Sequence, residues 1–305
     1  TAQPGFAVKS APLDLSDEEL LQLVAGKPFD FEPGQGWQYS NTNYYLLGMI
    51  IEKVSGRSYA EFMAGEFFEP LGLTHTLYGS EKAAIPHRAP GYFVHPDTHE
   101  RSNDPSISMN TPGAAGALVS TAGDLVRWQI ALTSGRAVSR ASLEQMIGSP
   151  VDAGQGGAAY GFGLMIDELD GQRRISHTGG INGFNSSLSW LPEAGLHIGV
   201  ISNSEAMPSA LLAERIILAL TSEQSPPPLR STPQPGAEAA LRKLIADQAA
   251  GTPDYSTMSP QLAEAVRTQL PQVQPLFEGF GPVKSVAFRE VDLNGLDCYP
   301  GEFED

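Results

Sequence analysis

Cysteine is nearly absent from this chain of 305 residues, which contains Cys298 and no other. One cysteine cannot form a disulfide within the chain, so a hydrophobic core has to supply the stability that cross-links give to small secreted domains. We expect Cys298 to have a packing role, because a free thiol behaves as a small apolar group.

Positive charge is scarce as well. The chain has 19 Lys and Arg residues against 35 Asp and Glu, which gives a formal net charge of -16. Because a phosphate backbone or an anionic bilayer would repel such a chain, we expect no nucleic acid and no membrane surface as partners. An apolar run of about 20 residues, the length that a membrane span needs, is also missing from the sequence.

The composition that is present indicates a globular protein with more than one domain. Hydrophobic residues make up 41% of the chain, and its length is enough for one large domain and a small one. Prolines cluster between positions 223 and 236, and this segment is typical of a semi-rigid linker. We therefore predict a large domain at 1–222 and a small, truncated α+β module at 237–305. In the module we expect helices at 237–249 and 261–270 and strands at 285–291 and 297–303.

Helix start signals are clear in the first third of the chain. Ser16 with Glu19, and Ser58 with Glu61, have the spacing of a capping box, in which a serine and a glutamate three residues later satisfy the first backbone donors. Apolar residues at helical spacing predict a further buried helix at 44–54. Residues 78–112 contain several prolines and are expected to be loop.

The second half of the large domain has the pattern of an antiparallel meander. Three β-type runs at 175–178, 185–191 and 196–202 are separated by glycine-rich or Pro-Glu-Ala-Gly turns. An amphipathic helix at 209–220 follows, and Leu212 and Leu220 are among the side chains expected to cover the sheet.

Residues 154–165 are expected to lead into that sheet. The glycine-rich segment 154–157 resembles a phosphate-binding loop only superficially, because a strand rather than a helix N-terminus follows it. We interpret it as a flexible connection, and residues 160–165 as the first strand.

His95 and His99 form the nearest approach to a metal site. Their spacing of four would place both rings on one face of a helix, but Pro96 and the polar surroundings oppose a helix there. We predict a solvated loop, and we expect neither a metal nor any other cofactor.

Candidate chemistry lies at the end of the first meander strand, in His177-Thr178-Gly179-Gly180. A titratable ring, a hydroxyl group and two residues without side-chain bulk suit a strand edge that pairs with substrate. The tetrapeptide alone favours a plain hairpin with a packed histidine over a substrate site. Far upstream, Tyr39-x-Asn41 is expected on a loop just before the helix at 44–54.

Together these motifs resemble the second and third motifs of the serine β-lactamase and penicillin-binding-protein-like family. The resemblance is closest to its class C-like branch, which includes family VIII-type esterases and D-aminopeptidases. Longer stretches also match, among them PGQGWQYSNTNYYLLGMIIEKVSG, AAGALVSTAGDLVRW and YGFGLMI. The resemblance covers roughly residues 13 to 222. It implies an α/β (α+β) fold with an antiparallel sheet flanked by helices and a mainly helical subdomain.

The resemblance also implies a serine hydrolase that cleaves an ester or amide through an acyl-enzyme. Its substrate would be a small molecule or short peptide: a small ester, a D-amino-acid peptide or a β-lactam. The implied catalytic residues are Tyr39 as general base and acid, Asn41, His177, and Gly180 as an oxyanion donor through its N–H group. Thr178, Gly179 and Trp37 are expected to contact substrate. Tyr39 would need a neighbouring cation to lower its pKa from about 10. Histidine at 177, where many relatives have lysine, is more similar to the esterase and aminopeptidase members.

The family's first motif, Ser-x-x-Lys, is absent from these residues. The residues three positions before the six lysines are Phe6, Val24, Ile50, Gly79, Ala240 and Gly281. In relatives this motif lies upstream of the tyrosine motif, so we expect that Thr1 begins inside the family fold and that the chain alone is inactive. The alternative is a non-catalytic descendant that binds peptides or cell-wall fragments. The family resemblance further implies a periplasmic or secreted location, and the oligomeric state stays open.

Overall fold

The computed structural model describes residues 16–80, 82–95, 98, 100–103, 107–155, 157–222, 232–291 and 297–303. Internal contacts divide the chain into two compact units, Thr1–Pro226 and Pro227–Asp305. Most of the predicted proline-rich linker, residues 223–231, lies outside the described residues. Each unit is treated separately below.

The first unit opens with a helical region in which both expected capping boxes form. The Ser16 and Ser58 side chains each accept from the backbone N–H three residues later, and Glu19 and Glu61 reach back to the capping residues. These reciprocal bonds satisfy donors that a helix N-terminus otherwise leaves unpaired. The helices are α1 (Asp17–Gln22), α2 (Asn41–Ser55), α3 (Tyr59–Met63), a π-helical turn (Ala64–Phe68) and α4 (Glu69–Leu71).

Helix α2 begins earlier than the sequence pattern predicted. Ser40 is its N-cap and accepts from the N–H of Asn43, so Asn41 is the first helical residue and only Tyr39 lies on the preceding loop. On one face Gly48 packs so closely that an added Cβ would lie 2.4 Å from the Cβ of Ala114. The other face is not buried as predicted, since Ile50 is 56% exposed and Val54 83% exposed.

Residues 77–148 contain short strands as well as loops and helices. The expectation of a continuous loop over 78–112 was wrong, because a β-prone Tyr-Phe-Val run forms a small hairpin with residues 101–103. A separate two-stranded ribbon precedes the next helix. The elements are β1 (Leu77–Tyr78), β2 (Tyr92–Val94), β3 (Arg101–Asn103), a 3₁₀ turn (Gly113–Ala115), β4 (Leu118–Val119), α5 (Ala122–Thr133) and α6 (Arg140–Gly148).

The central sheet has six strands, each antiparallel to the next and paired in sequence order. Its last three strands confirm the predicted meander. Helix α7 covers this part of the sheet and contributes Ala213 and Ile217 to a core with Leu191, Ile198 and Val200. The elements are β5 (Val151–Gln155), β6 (Ala158–Tyr160), β7 (Met165–Leu169), β8 (Gln172–Ile181), β9 (Phe184–Leu191), β10 (Leu196–Ser202) and α7 (Ser209–Thr221).

Two side chains of α7 do not cover the sheet as expected. Leu212 is 40% exposed and Leu220 is 62% exposed, whereas Ala213 and Ile217 are fully buried. Residues 213 and 217 are four apart and share one helix face, which is the face that the sheet covers. More apolar side chains of α7 were therefore predicted to face the sheet than are buried against it.

The approach to the sheet also differs from the prediction. Strand β5 is Val151–Gln155, so the first two residues of the glycine-rich segment belong to a strand and not to a flexible connection, and Gly156 lies outside the described residues. The expected single strand at 160–165 is a tight turn between β6 and β7. Gly161 sits where an added Cβ would lie 2.0 Å from the carbonyl oxygen of Met146, and Gly163 has a φ of +73°. Both positions favour glycine for these physical reasons.

A Gly161→Ala variant should therefore lose stability. The added methyl group cannot fit beside the backbone of Met146, and overpacking of this kind costs about 1 to 3 kcal/mol. Gly148→Ala is the matched control, since an added Cβ there meets nothing within 4 Å, and alanine favours the helix. Urea unfolding of both variants checks the expectation, which fails if the two differ by less than the measurement error.

Within its described residues the second unit contains two α-helices, a 3₁₀ turn (Tyr255–Thr257) and two small ribbons. Helix α9 is longer than the predicted 261–270 and passes through Pro271 and Pro275, although an interior proline removes a helix hydrogen bond and clashes with the preceding turn. Each of the two predicted strands forms two shorter strands. The outer two, at 283–286 and 301–303, pair with each other, and so do the inner two, at 290–291 and 297–298. The elements are α8 (Ala237–Ala249), α9 (Pro260–Phe280), β11 (Val283–Val286), β12 (Glu290–Val291), β13 (Asp297–Cys298) and β14 (Gly301–Phe303). No helix in the described parts of either unit is long and apolar enough to cross a membrane.

Candidate active site

Within the described residues, the last part of strand β8 pairs with a neighbouring strand along one edge only. On one side His177, Thr178, Gly179 and Gly180 pair with β9, opposite residues 188, 187, 186 and 185. On the other side, within the described residues, β7 pairs with β8 only as far as Ser176, where Met165 begins β7. The backbone beyond Ser176 is therefore available on that side for an extended ligand, which is the way in which an added strand binds a sheet edge.

The two glycines of this strand have different surroundings. A Cβ at Gly179 would lie 2.5 Å from Oγ of Ser186 on the neighbouring strand, whereas a Cβ at Gly180 would meet nothing within 4 Å. Packing inside the sheet is thus a sufficient reason for glycine at 179. At 180 the small residue leaves open space, and substrate could approach its backbone N–H there.

Tyr39 and Asn41 lie close to the β8 edge. The N-cap of α2 at Ser40 fixes the chain between them, and the ring centroids of Tyr39 and His177 are 6.1 Å apart. Both residues line the same cleft as His177, Thr178, Gly179 and Gly180. The fold therefore brings together six of the seven site residues that the sequence predicts, although they come from segments about 140 residues apart.

Trp37 is the exception. Among the described residues that line the cleft it does not occur, and its ring instead packs on that of Tyr160 with the centroids 5.2 Å apart. A direct contact with substrate is therefore not supported by its position here. Trp37 instead packs on Tyr160, and the hydroxyl of Tyr160 contacts His177.

Tyr160 is a site residue that sequence reasoning missed. It ends strand β6, is 7% exposed, and its hydroxyl lies 3.0 Å from Nε2 of His177. Its ring also meets that of Tyr39 edge to face, with centroids 6.1 Å apart. The only signal in the sequence was a tyrosine directly before Gly-x-Gly, and this pattern marks a strand end without naming the partner of the side chain.

The surroundings of Tyr39 and Tyr160 raise the pKa of both phenols. Burial raises the pKa of Tyr39, and the nearby Tyr44 phenol raises it further. Burial also raises the pKa of Tyr160, with additional contributions from Tyr44 and Tyr39 and from a hydrogen bond with Tyr44. In these surroundings both phenols are neutral near pH 7. Tyr39 can serve as a base only if a cation is brought next to it.

The cleft beside these residues is large. Its volume is about 1920 Å³, and apolar side chains from the helical region and the sheet form much of its wall, among them Leu46, Phe68, Leu125 and Leu188. The polar residues of the site are at one part of this wall. The space is much larger than a pocket of about 300 to 1,000 Å³, the usual size for a small ligand.

A metal centre finds no support in the described part of the chain. No group of three or more His, Cys, Asp or Glu side chains there could hold a metal ion. Pro96, Asp97 and His99 of the histidine cluster considered above lie outside the described residues.

Comparisons with known proteins agree with the geometry. The family model named Beta-lactamase matches residues 1–221. Penicillin-binding protein 4* of Bacillus subtilis (strain 168) is 36% identical over 171 residues, which are 52% of this chain and 38% of that protein. D-aminopeptidase of Gluconobacter oxydans (strain 621H) is 27% identical over 268 residues, which are 84% of this chain and 50% of that protein. The chain thus spans half or less of the length of these two proteins.

A solved structure shows the same fold. The D-stereospecific amidohydrolase from Streptomyces sp. superposes with a TM-score of 0.62 and 29% sequence identity. The match covers 72% of this chain and 65% of that one. An antiparallel sheet with helices packed on it is therefore common to both.

Proposed function

The chain belongs to the beta-lactamase family, and from this premise we propose that it is the larger part of a serine hydrolase that cleaves an amide or ester through an acyl-enzyme. One observation carries the proposal: Tyr39, Asn41 and the free edge at His177–Gly180 face a single cleft. A strand edge that holds substrate and a phenol that moves protons are two of the parts that such a reaction needs.

The proposed chemistry assigns one role to each group. A serine hydroxyl attacks the substrate carbonyl, and Tyr39, activated by a lysine ammonium group, takes the serine proton and gives it to the leaving amine or alcohol. The Gly180 N–H donates to the oxyanion, an interaction whose loss typically costs about 100- to 1000-fold in turnover. Asn41 donates its amide to substrate. Water then hydrolyses the ester bond to the serine and restores the enzyme.

The Ser-x-x-Lys motif does not occur in these 305 residues, and the cleft motivates a proposal for where such a motif would lie. Apolar side chains form much of the wall of the cleft, which suits the packing of an amphipathic helix. We propose that a helix with Ser-x-x-Lys fills the apolar part of the cleft and points its serine at the β8 edge. This chain together with that segment is called the complete domain below.

The substrate that we propose is an amide or short peptide of a D-amino acid, or a small ester. The D-aminopeptidase and the D-stereospecific amidohydrolase among the similar proteins motivate this choice. A secreted or periplasmic location is proposed on the family relationship alone.

Covalent labelling tests the function. A fluorophosphonate probe should add to one serine of the complete domain, identified by peptide mass spectrometry, and should leave the 305-residue chain unmodified. Both proteins carry the same Tyr39 and β8 edge, so the added segment is the only difference between the two samples.

Two results would contradict the hydrolase. If the coding sequence upstream of Thr1 contains no Ser-x-x-Lys, the non-catalytic binder is favoured. If the motif is present and a folded complete domain still takes up no probe, the acyl-enzyme mechanism is wrong.

A further inference from the structure

Both ring nitrogens of His177 already have partners within the protein. Nε2 lies 3.0 Å from the hydroxyl of Tyr160, and Nδ1 lies 2.6 Å from the carbonyl oxygen of Thr178. A neutral imidazole has one N–H donor and one acceptor nitrogen, so two partners use its whole hydrogen-bonding capacity.

The nature of the two partners fixes the tautomer. The Thr178 carbonyl can only accept, so Nδ1 must carry the proton. In the neutral ring Nε2 is then an acceptor, and the Tyr160 hydroxyl has to donate to it. The alternative tautomer would place two acceptors face to face at Nδ1, whereas at Nε2 the Tyr160 hydroxyl could turn and accept.

Tyr160 is well placed to remain a donor. Its ring is buried between Trp37 and Tyr39, and burial raises the pKa of the phenol, which keeps it protonated. The Tyr160 hydroxyl therefore keeps a proton that it can donate to Nε2 of His177.

The turn after β6 holds Tyr160 in place. The N–H of Phe162 donates to the Met146 carbonyl at 3.0 Å, and Gly161 allows that close approach. Tyr160 also pairs with Met165 in the sheet. The position of its hydroxyl is therefore set by backbone contacts on both sides of the residue.

We propose that Tyr160 is a positioning residue, which together with the Thr178 carbonyl holds His177 as the neutral Nδ1–H tautomer and engages both of its nitrogens. His177 then forms part of the wall of the cleft. It does not act as a base, and proton transfer in the site falls to Tyr39. Because the inference concerns bonds made within this chain, it can be tested without any catalytic activity.

The first measurement is the tautomer itself. In ¹⁵N-histidine-labelled chain at a pH where the ring is neutral, two-bond and three-bond couplings should show the His177 proton on Nδ1. The hydrogen bond from Nδ1 to the Thr178 carbonyl is made by that tautomer alone and favours it by about 2- to 12-fold. A proton on Nε2 would overturn the proposal, and this result needs no variant.

The second measurement uses matched tyrosine variants. Tyr160→Phe removes the hydrogen-bond partner of Nε2, so the Nε2 resonance of His177 should move, while the Nδ1 proton on the Thr178 side should stay. Tyr78→Phe is the control, because its hydroxyl donates to the Met109 carbonyl at 3.1 Å, away from His177.

His197 reports on the fold in the same spectra, since its Nδ1 lies 3.2 Å from Oε1 of Gln129. Its signals should not change in any of the variants. A His177 signal that is identical in wild type and in a folded Tyr160→Phe variant would show that Tyr160 does not position the ring. Neither result depends on whether the protein proves to be a hydrolase.

Discussion

A Tyr39→Phe variant of the complete domain should fold normally and lose turnover by about 100- to 10,000-fold, the usual contribution of one general acid–base group. The substitution removes a single hydroxyl from a ring that is 44% exposed, so the loss of packing is small. The effect should be on kcat, because the proton moves in the transition state and the ground-state contacts of the β8 edge are untouched. Steady-state kinetics with a D-amino-acid amide measure it.

The pH dependence should follow from the raised pKa of Tyr39. Burial and the Tyr44 phenol keep Tyr39 protonated in this chain, and only an adjacent ammonium group can oppose both. The activity of the complete domain should therefore fall as the pH drops through the pKa that the lysine imposes on the phenol. In the 305-residue chain the phenol should instead ionise above its ordinary value of about 10, which absorbance at alkaline pH can follow.

The Tyr78→Phe variant is a control that distinguishes the loss of proton transfer from the general effect of deleting a phenol hydroxyl. It also deletes one phenol hydroxyl, but that hydroxyl bonds to the Met109 carbonyl. Turnover in this variant should stay within a few-fold of wild type. Equal losses in the two variants, or normal turnover in Tyr39→Phe, would remove Tyr39 from the mechanism.

Features encoded within a few residues could be predicted from the sequence. The Ser16 and Ser58 capping boxes formed because each needs only a serine and a glutamate three positions later. The meander formed as predicted because its strands alternate and its turns contain glycine. Local backbone chemistry decided these elements, and packing did not overrule it.

Features that depend on contacts between distant segments could not be predicted. Tyr160 and His177 meet where β6, β7 and β8 end side by side, with Tyr160 opposite Met165 and Met165 opposite Ser176, the residue before His177. Strand alternation would align Tyr160 with Ser176 and not with His177, so the contact could not be predicted from the pattern. The role of Gly161 likewise depends on the carbonyl of Met146, which only the folded chain places beside it.

The same limit applies to the catalytic residues. The sequence gives Tyr39-x-Asn41 and His177-Thr178-Gly179-Gly180 as residue types, and the fold brings them to one cleft. It also shows that the partners of His177 are protein groups and that the surroundings of Tyr39 favour the neutral phenol. Roles follow from such neighbours, which a motif does not contain.

Asp124→Ala should destabilise the first unit by about 1 to 3 kcal/mol, the cost of one buried donor left without an acceptor. The Asp124 side chain is fully buried in the first turn of α5 and accepts from the His75 N–H at 2.8 Å and the Thr76 hydroxyl at 3.1 Å. The His75 N–H would lose this acceptor, whereas the Thr76 hydroxyl can still donate to Oγ of Ser120 at 2.8 Å. The ion pair with Arg127 adds little, since the Arg127 side chain is 60% exposed and can be rehydrated. Urea unfolding measures the loss.

Graded variants show whether the buried acceptor or the charge is responsible. Asp124→Asn keeps one oxygen for the His75 N–H, so it should cost clearly less than Asp124→Ala. Glu66→Ala breaks a 2.6 Å ion pair with Arg57 in which the two side chains are 40% and 51% exposed, and it should change stability by no more than about 1 kcal/mol. Equal losses for Asp124→Ala and Glu66→Ala would contradict this account. A large loss confined to Asp124 would mean that the wall of the cleft at Thr76 and Asp124 is held by hydrogen bonds to a buried carboxylate.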